Sequence, residues 1–238
     1  MEKLTNKNVL IAGATGGVGR NTAKLLAQSG ARVFLAGRNA DKLAELAEEL
    51  SIPAERCFSI DLTDENSINK MANAIHAQVP QLDILLNAAG IGIIKPLEQL
   101  SLEEFQLSLS TNLVGSFLLV QKFLPAMKTT GKGLIINIPG ILGKIPMAGA
   151  AAYCASKYGL VGMMQSIREE LKRTEIRITN IFLGGVDSPF WDTINLRVQR
   201  EKMIQAEEAA RAIWFLCQQP ASGVVSEMVL QPFNHQAI

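Results

Sequence analysis

The strongest constraint on the fold of this chain is the regular alternation of short apolar runs with longer helical patterns. Runs rich in β-branched and aliphatic residues, which we predict to be strands, lie at 9–14, 32–37, 57–62, 82–90, 133–138, 176–183 and 227–232. Helical patterns lie between them, at 17–29, 40–50, 64–79, 101–128, 150–173 and 206–219. Strands that are apolar on both faces are typical of a parallel sheet buried under helices. The alternation therefore predicts an α/β fold, a doubly wound parallel sheet of about seven strands flanked by helices.

The 238 residues show no internal repeat, low-complexity tract or linker. We therefore predict a single domain over residues 1–238. In a doubly wound sheet, ligands bind beyond the carboxyl ends of the strands, where the order of winding reverses. Functional residues are expected directly after the strands.

The charge balance and the apolar pattern exclude several classes of function. The 23 basic and 22 acidic residues leave a net charge of +1, whereas nucleic-acid binding needs a basic excess or cluster. The N-terminal MEKLTNKN carries charge where a signal peptide needs an apolar run, and no uninterrupted apolar stretch is long enough to span a bilayer. We predict a cytoplasmic protein that binds neither nucleic acid nor membrane.

The cysteines and histidines give no sign of a metal centre. Cys57, Cys154 and Cys217 are odd in number and widely spaced, which fits neither a disulfide framework nor a zinc site. His76 and His235 match no ligand spacing. We predict reduced thiols in a cytosolic protein and no metal site.

A glycine-rich turn, AGATGGVGR at 12–20, follows the first predicted strand and opens a helix. Such a turn lets backbone N–H groups approach a pyrophosphate, and the helix N-terminus adds the positive end of its dipole. In this context the turn predicts a dinucleotide site in a Rossmann domain. The cofactor-binding residues expected here are Gly13, Thr15, Gly16, Gly17, Val18 and Gly19.

The end of the second strand indicates which dinucleotide binds. An Asp or Glu there would bind the ribose hydroxyls of NAD and repel a 2′-phosphate. This chain has Gly37, Arg38 and Asn39 instead. The guanidinium of Arg38 suits a phosphate, so NADP(H) is predicted over NAD(H). The alternative is a solvated arginine at a strand end.

Tyr153 and Lys157 stand four residues apart in a predicted helix and so share one face. Hydride transfer to a carbonyl leaves negative charge on oxygen, which needs a proton donor. A nearby ammonium favours the phenolate and would lower the pKa of the tyrosine. The alternative, an ordinary amphipathic helix, becomes minor beside the cofactor loop.

Motifs along the whole chain resemble the short-chain dehydrogenase/reductase family. They are the spacing Gly13-x-x-x-Gly17-x-Gly19, Asp61, NAAG at 87–90, Asn112, Tyr153-Cys-Ala-Ser-Lys157 and LGGVDSPFW at 183–191. The resemblance implies that Lys157 also holds the nicotinamide ribose and that Asn112 anchors a water leading protons to it. It further implies that cofactor-binding residues include Asp61, Leu62, Asn87, Ala88, Ala89, Gly90, Gly184, Val186 and Ser188.

The chain departs from the family pattern at three positions. Leu183 replaces the usual proline, and Ser188 replaces a threonine but keeps its hydroxyl. The family's catalytic serine is expected thirteen residues before Tyr153, but this chain has Gly140 at that position. Losing one such donor costs about 10²–10³ in rate. A water, a backbone N–H or a substrate hydroxyl could supply the bond, and a serine restored at 140 would either repair the site or clash with that occupant.

The resemblance implies an NADP(H)-dependent oxidoreductase that reduces a ketone or aldehyde reversibly. The alternative is a cofactor-binding protein with little catalysis, acting as a regulatory or partner subunit. The loops 91–96, 141–147 and 185–194 should line the pocket and are mostly apolar, which favours a mostly apolar carbonyl or alcohol substrate. Cations that could meet an acid group are Lys95, Lys144 and Arg197.

A homodimer or homotetramer is also expected. The predicted helices 101–128 and 150–173 carry more apolar residues than one packed face needs, and the family commonly pairs them between subunits. These residues include Phe117, Leu118, Leu119, Val161, Met163 and Met164.

Overall fold

A computed structural model describes residues 2–220 and 222–235. Seven parallel strands form one sheet in the order β3-β2-β1-β4-β5-β6-β9, and β7 pairs with β8 in a separate ribbon. The strands are β1 (Asn8–Ala12), β2 (Arg32–Gly37), β3 (Cys57–Ser59), β4 (Ile84–Asn87), β5 (Lys132–Asn137), β6 (Glu175–Leu183), β7 (Val186–Asp187), β8 (Ile204–Gln205) and β9 (Glu227–Leu230). The predicted doubly wound sheet is confirmed.

Seven α-helices of the described chain cover this sheet, and several begin at a side-chain cap. Asn39 accepts a hydrogen bond from the backbone N of Lys42, and Asp64 accepts one from Asn66. Such caps satisfy N–H groups that a helix start leaves free. The helices are α1 (Gly17–Gln28), α2 (Ala40–Glu49), α3 (Glu65–His76), α4 (Leu102–Leu109), α5 (Gly115–Thr130), α6 (Ala151–Leu171) and α7 (Ala206–Leu216).

The largest difference from the predicted elements lies in the helix expected over 101–128. It is two helices, α4 and α5, joined by a π-helical turn over Ser110–Val114. The Asn112 side chain in this turn binds the backbone N and O of Ile91, a contact distant in sequence that periodicity does not reveal. The strand predicted over 57–62 ends early, at Ser59, and α3 and α7 stop short of their predicted ends.

The core consists of two apolar layers, one on each face of the sheet. Val9 and Ile11 of β1 pack in the layer that contains Leu26 of α1 and Ile213 of α7. Leu10, between them, points to the other face, where α3, α5 and α6 contribute their apolar sides. Because successive side chains of a strand alternate, burial of both sets explains the unbroken apolar runs.

The segment Leu102–Thr130 meets the length and apolarity expected of a membrane span, but half of its most apolar window is buried inside the protein. That burial is what a core helix shows.

Burial in α5 and α6 corrects the list of apolar residues expected at a subunit interface. Leu118, Leu119 and Met164 are buried in the core, whereas Phe117 is 42% exposed.

A row of buried asparagines crosses the centre of the sheet near the carboxyl ends of the strands. Asn87, Asn137 and Asn180 stand at paired positions of β4, β5 and β6, and each is at most 2% exposed. The Asn87 Nδ2 donates to Ser116 Oγ at 2.6 Å. The remaining side-chain atoms of the row have no hydrogen-bond partner among the described residues.

Candidate active site

A cleft of about 960 Å³ opens at the carboxyl ends of the strands, where the strand order reverses between β1 and β4. Loops that follow β1, β2, β4, β5 and β6 line it. The cleft contacts every catalytic or cofactor-binding residue that the sequence analysis proposed, except Asn87 and Asn112. Those that line it are Gly13, Thr15, Gly16, Gly17, Val18, Gly19, Arg38, Asp61, Leu62, Ala88, Ala89, Gly90, Tyr153, Lys157, Gly184, Val186 and Ser188.

The turn between β1 and α1 is shaped by a close backbone contact. Gly13 has φ +87°, and a Cβ there would lie 2.6 Å from the Ala89 backbone N. Helix α1 begins after Gly16 without a side-chain cap and without an acidic residue in its first turn. Its first N–H groups are therefore available to an anionic group. The turn fits a pyrophosphate on these grounds.

Beside this turn, β2 ends at Gly37. The next residue, Arg38, is exposed and has no ion-pair partner among the described residues. Nearby Asp61 accepts two hydrogen bonds at 2.8 Å, from the backbone N and the Oγ1 of Thr63. These bonds, with a smaller contribution from Arg38, hold the pKa of Asp61 below its ordinary value. The pocket here combines a free cation with an ionised carboxylate.

Tyr153 and Lys157 lie one turn apart on α6, and both side chains line the cleft. The Lys157 Nζ lies 5.5 Å from the centroid of the Tyr153 ring. It donates a hydrogen bond of 3.1 Å to the backbone oxygen of Ile138, directly after β5. Lys157 is 3% exposed, and Tyr153 is half-buried. The two side chains share one face of the helix without a direct hydrogen bond between them.

Burial sets the protonation of this pair. It raises the pKa of Tyr153, to which Cys154 adds a further increase, and it lowers the pKa of Lys157 to about 8. A medium of low polarity disfavours the charged form of each group. The lowering of the tyrosine pKa expected from the sequence is therefore not observed. The neutral phenol is favoured, and this is the form that can donate a proton.

Asn112 and Asn87 lie behind the cleft wall. The Asn112 Nδ2 donates to Ser156 Oγ at 3.0 Å, and its backbone oxygen accepts a 2.7 Å bond from Ser116 Oγ. Ser116 in turn accepts the bond from Asn87. Gly90 lies between this network and the lysine, since a Cβ on it would lie 3.0 Å from Asn112 Oδ1 and 3.2 Å from Lys157 Nζ. Sequence reasoning did not identify Ser116, which no motif marks.

Gly140, at the position expected for the serine, lies beside the tyrosine but has a backbone that opposes a side chain. Its φ of 68° and ψ of 173° fall in a region essentially restricted to glycine. A Cβ there would lie 3.8 Å from the Tyr153 hydroxyl and 3.6 Å from the Leu183 backbone oxygen, at ordinary contact distances. The space would therefore accept a side chain that the conformation disfavours.

Apolar side chains surround Tyr153 at the substrate end. Its ring lies 5.9 Å from that of Phe190, which packs edge-on against Trp191 at 5.4 Å. Ile94 and Leu142 belong to the same cluster. The three loops expected to line the pocket all contribute residues to it.

The charged residues near this end are mostly paired. Lys95 pairs with Glu104 and Lys144 with Glu227, so two of the three cations considered for an acid group are neutralised. Arg197 lines the cleft and is exposed. The whole stretch 197–199, with Lys202 and Met203, also lines the cleft, and no sequence motif pointed to it.

Known proteins carry the same arrangement of elements. The sequence profile of the short chain dehydrogenase family matches residues 7–199. An uncharacterized oxidoreductase from Staphylococcus epidermidis is 31% identical over 232 residues, which cover 98% of this chain and 100% of that protein.

Two solved structures superpose on nearly the full chain. A metagenomic short-chain oxidoreductase in complex with NADP is 30% identical, with a TM-score of 0.84 over 97% of this chain and 99% of that one. An alcohol dehydrogenase from Thermococcus sibiricus, complexed with 5-hydroxy-NADP, has a TM-score of 0.88 over 98% of this chain and 99% of that one. Its identity of 24% makes this a likeness of fold alone. The resemblance inferred from the motifs is thereby confirmed, and the chain belongs to the short-chain dehydrogenase family of oxidoreductases.

Proposed function

We propose that the chain is an NADP(H)-dependent oxidoreductase that reduces a ketone or aldehyde to an alcohol, reversibly. The observation that carries the proposal is one cleft of about 960 Å³ that contains both the phosphate loop at 13–19 and the Tyr153–Lys157 pair. That volume suits a large cofactor with a small substrate. Residues 1–238 form one nucleotide-binding domain in this proposal, because the described helices pack around one seven-stranded sheet.

When bound, the reduced dinucleotide supplies the hydride. Tyr153 is the proposed proton donor to the oxygen, since burial keeps its phenol protonated. Lys157, with a pKa lowered to about 8, can hold or release a proton near neutral pH. Asn112 fixes the loop at Ile91 beside the lysine. The residues proposed to hold the cofactor are those of the phosphate loop, Arg38, Asp61, Leu62, Asn87, Ala88, Ala89, Gly90, Tyr153, Lys157, Gly184, Val186 and Ser188.

The preference for NADP(H) rests on Arg38. It extends from the end of β2 into the cleft without a carboxylate partner among the described residues, and Lys42 lines the same end. A guanidinium is well suited to a 2′-phosphate. Binding of NADP by the metagenomic relative supports a nicotinamide dinucleotide in general.

Gly140 favours a second candidate, a cofactor-binding protein with little catalysis. Residue 140 offers no side-chain donor to an oxyanion beside Tyr153, and its conformation opposes one. In this candidate the cleft would still bind NADPH, while turnover would be absent. Turnover therefore separates the two candidates.

Replacing Tyr153 by Phe tests the leading candidate. Purified protein would be assayed with NADPH against a panel of carbonyl compounds, and Tyr153→Phe should lower turnover by about 10²–10⁴-fold because a proton donor is lost. NADPH affinity, measured by fluorescence titration, should stay within a few fold of the wild type.

The chain offers a matched control, because its two tyrosines lie on the same helix. Tyr158→Phe alters an exposed ring outside the cleft and should leave turnover unchanged. Tight NADPH binding without turnover of any compound would establish the second candidate. Equal turnover in the wild type and Tyr153→Phe would overturn the role of the tyrosine.

We propose a mostly apolar substrate, because Ile94, Leu142, Phe190 and Trp191 surround the tyrosine. We also propose a cytoplasmic homodimer or homotetramer. Apolar side chains exposed along α4, the π-helical turn and α5, namely Leu102, Val114 and Phe117, would be covered by a second copy. Light scattering at micromolar concentration should show two or four subunits, and a monomer would contradict this assembly.

A further inference from the structure

Residues 186–203, which we term the crossing segment, bridge the two sides of the cleft. On the nucleotide side it touches the phosphate loop, since a Cβ on Gly17 would lie 2.7 Å from the Ser188 Cβ. On the substrate side it rests on the loop after β4. There a Cβ on Gly92 would overlap the Phe190 ring and lie 2.7 Å from the Ile194 Cδ1. The crossing segment therefore forms a cover over the cleft, and it packs against a glycine on each side.

One side chain within the crossing segment ties three of its parts together. The Arg200 Nε donates to Asp187 Oδ1 at 2.6 Å, and its two terminal nitrogens donate to Asp192 Oδ1 and to the Ser188 backbone oxygen, both at 2.8 Å. Only a planar guanidinium presents donors in the fork that these three acceptors require. Arg200 thus joins residues 187–192 to a position eight residues further along the segment.

The groups held in this way face the cleft. Ser188 lies one residue from Asp187, and Phe190 and Trp191 directly precede Asp192. The Trp191 Nε1 donates to the Val186 backbone oxygen at 2.9 Å, which adds a second tie within the segment. Arg200 itself does not line the cleft. Its influence on a ligand would therefore be exerted through the residues that it holds.

The ion pairs of this network are exposed to solvent. The side chain of Arg200 is 41% exposed, and those of Asp187 and Asp192 are 32% and 56% exposed. Exposed ion pairs are individually weak and are screened by salt. Several of them on one guanidinium can hold a short segment without locking it. A cover of this kind retains a ligand during a reaction and can still release it.

We propose that Arg200 is a positioning residue, which holds the crossing segment closed over the cleft and thereby fixes Ser188 and Phe190 against the bound cofactor and substrate. For its effect on the reaction this inference rests on the proposed function. Arg200 touches neither reacting group. Its loss should accelerate opening of the cover while leaving Tyr153, Lys157 and the phosphate loop intact.

The experiment compares Arg200→Gln and Asp187→Asn with Arg211→Gln. Arg211 is an exposed arginine of α7 with no ion-pair partner in the described chain, so it controls for the loss of one surface charge. Hydrogen exchange of residues 186–203 is measured without cofactor, and NADPH release is followed by stopped-flow fluorescence. Both network variants should exchange faster in this segment and release NADPH roughly fivefold to tenfold faster. The control should match the wild type.

A Trp214→Phe background sharpens the readout, because it leaves Trp191 as the sole tryptophan of the chain. Quenching of Trp191 by acrylamide should rise in Arg200→Gln, and Arg200→Lys should be intermediate, since an ammonium lacks the fork. About 1 M salt, where the screening length is roughly 3 Å, should make the wild type resemble the variant. A role in folding stability alone would lower the melting temperature without these changes.

The outcomes separate this inference from the proposed function. If the wild type does not bind NADPH, the proposed function fails, and hydrogen exchange of residues 186–203 alone decides the role of Arg200. If Arg200→Gln does not fold, Asp187→Asn provides the comparison. Exchange rates in the network variants equal to those of Arg211→Gln would overturn the inference, and so would unchanged NADPH release in a protein that binds it.

Discussion

The two ends of the cleft are formed by different parts of the residues, backbone at one end and side chains at the other. The nucleotide end is made of backbone, where the turn at Gly13 lies against Ala88 and Ala89 and α1 begins with free N–H groups. The substrate end is made of side chains carried by long loops, among them Phe190 and Trp191. A Cβ at Gly13 would overlap neighbouring backbone, whereas one at Gly140 would meet only ordinary contacts. The first end is therefore fixed by close backbone packing, and the second by contacts between side chains.

Gly13→Ala should disrupt the nucleotide end and have the largest expected effect on NADPH affinity. Its Cβ would lie 2.6 Å from the Ala89 backbone N on a residue with φ +87°. We expect NADPH affinity to fall by about 100-fold, corresponding to roughly 3 kcal/mol. Fluorescence titration of NADPH measures this change.

Gly162→Ala is the matched control for that substitution. A Cβ on Gly162, within α6, would meet no atom within 4 Å. Because alanine favours a helix over glycine by about 1 kcal/mol, this variant should melt slightly higher and bind NADPH normally. Equal affinity in Gly13→Ala and Gly162→Ala would show that the turn does not bind the pyrophosphate.

The same contrast explains how far the sequence could predict this molecule. The sheet followed from apolar runs buried on both faces, and the turn at 12–20 from glycines placed between a strand and a helix. Both signals are local. The π-helical turn escaped prediction because the Asn112 side chain binds Ile91, twenty-one residues away. The loop 185–194 was expected to line the pocket, but its connection to Arg200 was not predicted, since periodicity does not encode the hydrogen bonds from Arg200 to Asp187 and Asp192.

The sequence also predicted the wrong direction for the shift in the pKa of Tyr153. Spacing on a helix predicted the shared face of Tyr153 and Lys157, but not the burial of both groups. The lysine Nζ is bonded to Ile138, and burial raises the pKa of Tyr153. Burial depends on the loops that cover α6, which no motif specifies. The site residues themselves stay a prediction until they are tested by substitution.

Arg38→Ala should weaken the preference of the nucleotide end for NADP(H). The expected effect lies between those of Gly13→Ala and Gly140→Ser. The ratio of NADH to NADPH dissociation constants should fall about tenfold, because one charge-assisted contact to a 2′-phosphate is lost. Arg38→Lys should retain part of the preference, since it keeps the charge but not the fork. Titration of each variant with both cofactors measures the ratio. A wild type that binds the two equally would contradict the assignment of Arg38.

Gly140→Ser tests the substrate end and should have the smallest effect. The sequence left open a gain in turnover from a restored hydroxyl, but φ of 68° opposes any side chain there. We expect a loss of about 1–2 kcal/mol in unfolding free energy and no more than a few-fold change in turnover. Gly140→Ala is the control for the strain. Turnover about 100-fold higher in the serine variant than in the alanine variant would show that the loop adapts and the donor is restored.

The row of Asn87, Asn137 and Asn180 bears on how the chain selects one pairing of its central strands. Alternate residues of a strand face opposite sides, so a slip of β5 by one residue would carry Asn137 into the aliphatic layer beneath α1 and α7. An amide stranded there would cost about 1–3 kcal/mol. In the native alignment the three amides stand side by side on strands about 4.8 Å apart, where one water could bind more than one of them. A wholly aliphatic sheet would tolerate such a slip, and this one penalises it.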